Sequence, residues 1–466
     1  MLPDDVLLEI FHFHVDEAWN EGHKSWSEDG DKRVMKAWQS LVHVCRRWRS
    51  IVFGSPRCLD LQLVCSAKTP ARDTVEVWPA LPLLIREFDE DGVGVDNIVA
   101  LLERSDLVRQ IDLWFDSSSQ LEDLSEAMQV PFPELTHLDL RHFDEMEPVV
   151  PLSDLFFGGS APRLRSLILD RIPYPGLPKL LLSATYLTFL HLTHIPHSGY
   201  ISPEAMIACL STLTSLERLS LQFESPPPRP YWESRHLPPL TRTVLPVLDH
   251  FWFKGVCEYL EYLVARIDAP RLRFLGITFF NDIVFVIPQL TRFISNTPIL
   301  EAFDEARIAL DDSTASVKLS SASKLDAGLN VSSSCTELDW QLSFLEQVCT
   351  SSLHPLSTLQ DLYMSGRPWP QDWKDIIDYE QWQGLLHSFT TVKNLYLSKE
   401  LAPCVVPALQ ELVAGRTTEL FPNLQNILVE ELEESGPVQE GIRKFVSARR
   451  VSSHPIMVSH WEEGSN

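Results

Sequence analysis

His191, His194 and His197 recur at every third position, the densest histidine cluster in the chain. Three imidazoles can hold a zinc ion when they converge on one point. On a strand at this spacing they diverge, and Pro196 breaks any helix that could align them. A surface loop is the better reading. His12 and His14 stand on opposite sides of a helical turn and converge no better. Glu431, Glu433 and Glu434 could supply paired carboxylates, but read as a solvated edge. Eight cysteines occur, at 45, 58, 65, 209, 257, 335, 349 and 404. None forms a C-x-x-C pair, and most lie in apolar runs, so buried thiols of a reducing compartment are expected. Phosphate-binding glycine loops, a nucleophile elbow and the H-E-x-x-H pattern are all missing from the sequence. No catalytic, cofactor-binding or metal-ligating residue is expected, and the chain reads as a non-enzyme.

Charge narrows the partners. Lys plus Arg is 39 against 64 Asp plus Glu, a net charge of −25 over 466 residues. Nucleic-acid backbones and anionic membranes both call for a basic surface, so neither is expected as a partner. The N-terminus has no basic region followed by a long apolar core, so it is not a signal peptide. Ile283 to Ile287 is among the longest apolar runs, far short of a membrane span. A cytoplasmic or nuclear location follows.

What positions the side chains is a repeat. An L-x-x-L-x-L core recurs as Leu135-Leu138-Leu140, Leu164-Leu167-Leu169, Leu187-Leu190-Leu192 and Leu216-Leu219-Leu221. It continues at Leu248-Phe251-Phe253, Leu272-Leu275-Ile277, Leu359-Leu362-Met364, Val392-Leu395-Leu397 and Leu424-Ile427-Val429. Val108-Ile111-Leu113 is an earlier copy. From 138 to 275 the middle residues are spaced 23 to 32 apart, close to the leucine-rich-repeat period of about 20–29. The last two leucines would point inward from a short strand while alternate residues point out. Pro133, Pro162, Pro246, Pro270, Pro298 and Pro422 each stand two residues before a first leucine, where they would stiffen the strand's entry. Ser202-Pro203-Glu204 predicts a capped helix through Leu210. Val286, Leu290, Phe293 and Ile294 predict another. The repeat fades after Ile299, and Asp311 to Ser334 reads as a hairpin or an atypical repeat. The run Ser225 to Pro230 is polyproline-like; a loop is preferred to an SH3 or WW ligand. The polar tail from Gly436 carries one helix near Ile442 to Arg449 and would cap the last repeat. The usual repeat asparagine is replaced by Phe143, Ile172, Ile195 and Glu224, so no asparagine ladder is expected there and the repeats should be irregular.

Two N-terminal segments stand apart. In Leu2-Pro3-Asp4-Asp5-Val6-Leu7-Leu8-Glu9-Ile10-Phe11, the residues Val6, Leu7, Ile10 and Phe11 share one helical stripe. Pro3 and the two aspartates suit a helix start. Farther on, Trp38, Leu41, Val44, Cys45, Trp48, Ile51 and Val52 follow steps of three and four, predicting one amphipathic helix of about four turns that Gly54 and Pro56 end. Arg46, Arg47 and Arg49 fill its polar face. A pair this small needs a partner or the following domain to complete its core. The polar stretch at about 16–36 between them reads as an exposed loop.

Together these segments resemble the two halves of an F-box, and the repeats resemble leucine-rich repeats. Over almost its whole length the chain is similar to the large set of F-box proteins with degenerate leucine-rich repeats in mushroom-forming fungi. Two departures are the longer connection at 16–36 and the start of the motif at residue 2, which reads as a fragment or a chosen start. The resemblance implies an α/β fold in which a short α-helical F-box precedes an irregular leucine-rich-repeat solenoid. Its boundaries would be the F-box at 1–57, a connecting segment and cap at 58–106, repeats at 107–435 and a tail at 436–466. It implies a substrate-recognition subunit of an SCF-type ubiquitin ligase, serving ubiquitin-dependent protein degradation without a cofactor. Pro3, Val6, Leu7, Ile10, Phe11, Val44, Cys45, Trp48, Ile51 and Val52 would bury against a Skp-type adaptor, and through it reach cullin and RING subunits. A protein substrate would meet the strand face through Asp139, Arg141, Ile168, His191, Ser220, Trp252 and Thr278. Arg163, Arg165 and Arg171 only hint at phosphate recognition. The alternative is a leucine-rich-repeat interaction scaffold acting outside a ligase.

Overall fold

The computed structural model describes residues 2–22, 37–56, 58–59, 61–68, 70–71, 75, 78, 80–87, 95–144, 147–226, 242–280, 287–300, 303–321, 327–351, 356, 358–367, 379–411, 421–431, 436–451 and 455–461. Most of the polyproline run, Val286 and the acidic residues 433–434 lie outside the described residues. The chain divides into two units, Met1–Ile201 and Ser202–Asn466.

The first unit carries six parallel strands in sequence order: β1 (Leu63–Cys65), β2 (Leu83–Glu87), β3 (Val108–Phe115), β4 (His137–His142), β5 (Ser166–Asp170) and β6 (Phe189–Ile195). Helices and short turns return the chain between them, as parallel pairing demands. The repeat leucines stack in register: Ile111, Leu138, Leu167 and Leu190 form one inward row, and Leu113, Leu140, Leu169 and Leu192 the next. All are buried. β1 and β2 lie in the segment expected to be a connector, so the sheet starts ahead of the first recognisable repeat.

The second unit contains β7 (Arg218–Phe223), β8 (Thr243–Val244), β9 (His250–Gly255), β10 (Ile267–Asp268), β11 (Phe274–Phe280), β12 (Glu305–Leu310), β13 (Thr314–Ser320), β14 (Gly328–Ser334), β15 (Asp361–Gly366), β16 (Asn394–Leu397), β17 (Asn426–Glu430) and β18 (Met457–Trp461). Its main sheet runs β7-β9-β11-β14-β13-β12-β15-β16-β17-β18, and β8 pairs with β10 separately. Only β13 is antiparallel to its neighbours. The faded repeat at 305–334 is therefore a three-stranded meander occupying three strand places. Its Ala306, Ile308 and Leu310, Ala315, Val317 and Leu319, and Leu329 and Val331 alternate inward and are buried.

The prolines ahead of the first leucines have a more specific role than strand entry. Leu135 N donates to Phe132 O, Leu164 N to Ala161 O, Leu248 N to Leu245 O, Leu272 N to Ala269 O, Leu300 N to Thr297 O and Leu424 N to Phe421 O. Each proline thus follows the accepting residue of a four-residue turn, the position whose φ its ring presets. The first leucines 135, 164, 187, 216, 248, 272 and 359 are fully buried under these entries.

Helix Pro203–Leu210 forms as expected, with Ser202 Oγ accepting from Ala205 N at 3.2 Å. Ser202→Ala is expected to cost about 1 kcal/mol, read by denaturant unfolding; an unchanged midpoint would show the cap to be idle. Helix Pro288–Ser295 buries Leu290, Phe293 and Ile294. The tail forms helix Pro437–Val451, which buries Ile442 and Phe445, and then adds β18 alongside β17. Gly441 lets that helix approach helix Ala402–Glu411 closely: a Cβ there would run into the Gln410 side chain and meet Val406 Cγ1 at 2.5 Å.

Candidate protein-interaction surfaces

The N-terminal helix α1 spans Asp4–Gly22, so the segment expected as a loop from residue 16 is helical as far as Gly22. The second segment is not one four-turn helix. Residues 37–42 are helical, the chain turns, and Cys45 is extended (φ −160°, ψ 169°) as the cap of helix α2, Arg46–Gly54. Arg49 Nε donates to Val42 O at 3.0 Å, satisfying a carbonyl that the break orphans.

α1 has two apolar stripes. Leu7, Phe11 and Val15 lie on one, and all are buried. Phe11 packs on Trp48, with ring centroids 4.7 Å apart. Val52 is also fully buried, and Trp48 and Ile51 are half-buried. Leu7, Phe11 and Val52, grouped by spacing with the partner-facing residues, thus pack within the chain. The other stripe is open: Val6 is 42% exposed, Ile10 48% and Phe13 73%, with Leu2 at 51% just ahead of the helix. Val44 at 58% lies in the turn before α2; Pro3 and Cys45 are exposed too. Arg47 ties the pair together, donating to Asp4 Oδ1 at 2.9 Å through Nε and to Leu2 O at 2.5 Å. Residues 37–42 anchor elsewhere: Trp38 donates to Gln62 O at 3.2 Å and meets Trp78 edge-on at 5.1 Å. Leu2 and Phe13 were absent from the expected set, although Phe13 lies seven residues after Val6, on the same stripe.

The outward strand residues form the second surface. In the first unit, Asp139, Ile168 and His191 share one register row and are half-buried. Arg141 chelates Asp139 with two bonds, Nε to Oδ1 at 2.8 Å and Nη2 to Oδ2 at 2.7 Å, and sits 5.8 Å from the Trp114 ring. That bond to Asp139 holds the Arg141 guanidinium above its ordinary value. His191 stacks on Phe189, while His194 Nδ1 lies 2.7 Å from Asp170 Oδ1 and His197 falls in a separate short turn. His191 and His194 thus point to different partners. Among the described residues no His, Cys, Asp or Glu group is arranged to hold a metal. Burial pushes the Cys65 thiol up to about 12 and Cys209 up to about 11, which keeps both protonated and unreactive at neutral pH.

Burial, then the charge of nearby arginines, lowers both His137 and His191 below the usual 6.5. The unfolded chain therefore binds these protons more readily, and stability should fall as pH drops through 6.5. A His137→Asn, His191→Asn chain is expected to lose less melting temperature between about pH 7 and 5 than wild type; identical slopes would refute that assignment.

In the second unit, Trp252 stacks with His250 at 5.2 Å and lies 5.4 Å from Phe274. A Cβ at its register partner Gly276 would meet Trp252 Cδ1 at 2.8 Å, so the glycine makes room for the indole. Thr278 Oγ1 lies 2.8 Å from Ser332 Oγ. Ser220 departs from expectation. It points outward by alternation but is 1% exposed, being bonded by Gln222 Nε2 and paired in register with the bulky Trp252. Two features went unforeseen. Tyr363 and Tyr396 stack at 4.1 Å, with Arg307 4.6 Å from the Tyr363 ring and Trp461 edge-on to both tyrosines. Beside them Asp361, Asn394 and Asn426 form a side-chain ladder, at 2.6 and 2.7 Å. The signal was available: Tyr363 and Tyr396 are the outward residues between the inward pairs Leu362–Met364 and Leu395–Leu397 of two repeat strands.

No family model matches the chain, and no curated protein matches it. Among solved structures it is similar to the leucine-rich repeat-containing protein LegL7 from Legionella pneumophila, at 12% identity over 82% of this chain and 97% of that one, with a TM-score of 0.27. The class assignment rests instead on the parallel strands, the stacked leucine rows and the turn before each first leucine: a mixed α/β protein with leucine-rich-repeat-like sheets. Among the described residues no helix is long and apolar enough to cross a membrane.

Proposed function

We propose that the chain is the substrate-recognition subunit of an SCF-type ubiquitin ligase, with α1 and α2 as its F-box. The observation that carries this reading is the open stripe of Val6, Ile10 and Phe13 on a helix whose other apolar side is already satisfied internally. Contiguous exposed apolar side chains of this kind mark a partner site. A second support is the pair of sequence segments at 2–11 and 44–52 that resembles the F-box at both ends. The occupant is a Skp-type adaptor, which joins the chain to cullin and RING subunits in the cytoplasm or nucleus. The outward strand residues then hold a protein substrate. The chain supplies no reacting group in this scheme; proximity of substrate to the charged conjugating enzyme supplies the rate.

Co-purification of the full chain with a fungal Skp-type adaptor tests this. Retention of the adaptor in a salt-resistant complex is expected, since apolar contacts are little screened. A folded chain that retains none would leave a repeat scaffold acting outside a ligase.

A further inference from the structure

At the C-terminal ends of β3 and β4 one repeat breaks the pattern of the next two. The place three residues after the last strand leucine is buried in those, as Ile172 and Ile195. After β4 the same place holds Phe143, which is 50% exposed. Phe143 N donates to Phe115 O at 3.0 Å, so the β3–β4 pairing itself holds the residue in position. Its ring meets Trp114 edge-on, with centroids 5.2 Å apart, and Trp114 is 37% exposed. Beside Trp114 a narrow recess of about 30 Å³ opens between β3 and the helices Val95–Leu102 and Ser118–Ala127. Ile98, Leu113, Phe115 and Leu124 give it an apolar lining, and Asp116 adds a carboxylate.

The surroundings of these rings are negative. From Gln110 to Val150 the chain carries ten Asp and Glu residues against one arginine, Arg141, and no lysine. Asp139 chelates that arginine through both carboxylate oxygens. This bond, and then the charges of Asp139, Asp112 and Asp170, hold Arg141 above its ordinary value against the effect of burial. Asp116, Glu122 and Asp123 are exposed. Glu147 Oε2 accepts from Ser118 N at 3.2 Å, which draws the loop after Phe143 to the start of helix Ser118–Ala127.

We infer that this end of the first unit docks a lysine-rich protein segment with one large aliphatic side chain, that side chain entering the recess against Trp114 and Phe143 while the lysines meet Asp116 and the exposed carboxylates of the following helix. Exposed aromatic rings beside a fixed arginine have the composition of an interface hot spot. The acidic surround selects the charge of the partner. A second copy is a poor occupant, because two chains of net charge −25 repel each other. The inference does not need the adaptor reading. The recess and α1 share no residue, so either can fail while the other stands.

The test uses the full chain and a fluorescein-labelled peptide with one leucine between two pairs of lysines, followed by anisotropy. Saturable binding is expected, weakening several-fold between about 50 and about 300 mM salt as the rim charges are screened. Phe143→Ala should weaken binding by about tenfold, the order that one large buried side chain contributes, with the melting temperature unchanged. Asp116→Asn should cost about twofold to fivefold and flatten the salt dependence. Tyr186→Ala, which removes another exposed ring of the same unit, should change nothing. Absence of saturable binding overturns the site, as does full affinity in Phe143→Ala. Should Phe143→Ala lower the melting temperature, Asp116→Asn decides instead: unchanged affinity and salt dependence there overturn the site. A peptide with serine in place of leucine that binds as tightly shows charge attraction alone and also overturns it. Equal affinity for a peptide with glutamates in place of the lysines overturns the choice of a basic segment.

Discussion

Replacing Val6 and Ile10 together by aspartate is expected to weaken adaptor capture by about 100-fold or more and to leave the melting temperature of the chain unchanged. Each side chain buried in a complex contributes roughly 1.5–3 kcal/mol, so losing two removes enough for that factor, and a buried carboxylate adds a further penalty. The fold should not notice, because both residues are open to solvent. Asp at position 6 also lies in the first turn, where negative charge is favourable. This pair separates docking from folding, which other positions cannot do. Leu7→Asp would bury a carboxylate in the helix pair, and Phe11→Ala would empty the space against Trp48 at about 3–5 kcal/mol. Loss of binding in either could mean loss of structure. Pull-down of both proteins beside their melting curves checks the contrast; a double aspartate chain that still holds the adaptor removes the stripe from the interface.

The second large effect is on the repeats. Phe251→Ala is expected to destabilise the second unit by about 3–5 kcal/mol, measured by denaturant unfolding. Phe251 is fully buried at the middle position of its repeat, in register with Leu219 on β7 and Leu275 on β11. Alanine would leave a cavity between two fixed neighbours. Phe251→Leu should cost less than about 1.5 kcal/mol, because leucine serves the same position on both flanking strands. An alanine cost below about 1 kcal/mol would contradict the stacked register.

How legible this was varied with the kind of signal. The repeats were readable because burial imposes leucine at fixed steps, and the rows Leu138–Leu167–Leu190 and Leu219–Phe251–Leu275 follow those steps. The meander at 305–334 was harder. Its inward residues do alternate, but four of the places are alanine or valine among serines, so the stretch reads only as a hairpin or an atypical repeat. The extended Cys45 left no trace in spacing, because the apolar steps of three and four run straight through it. Alternation placed Ser220 outward but could not see that it is buried, bonded by Gln222 and beside the bulky Trp252 in register. On α1, spacing put Val6, Leu7, Ile10 and Phe11 on one stripe, whereas Leu7 and Phe11 are buried and Val6 and Ile10 open, a division that depends on where α2 packs.

The most direct measurement is calorimetric titration of a purified fungal Skp-type adaptor into the wild-type chain at several temperatures. The account expects a saturable one-to-one complex whose binding heat capacity is clearly negative, the mark of apolar surface leaving water. No binding by a chain with an intact melting transition would contradict it, as would binding with no heat-capacity change.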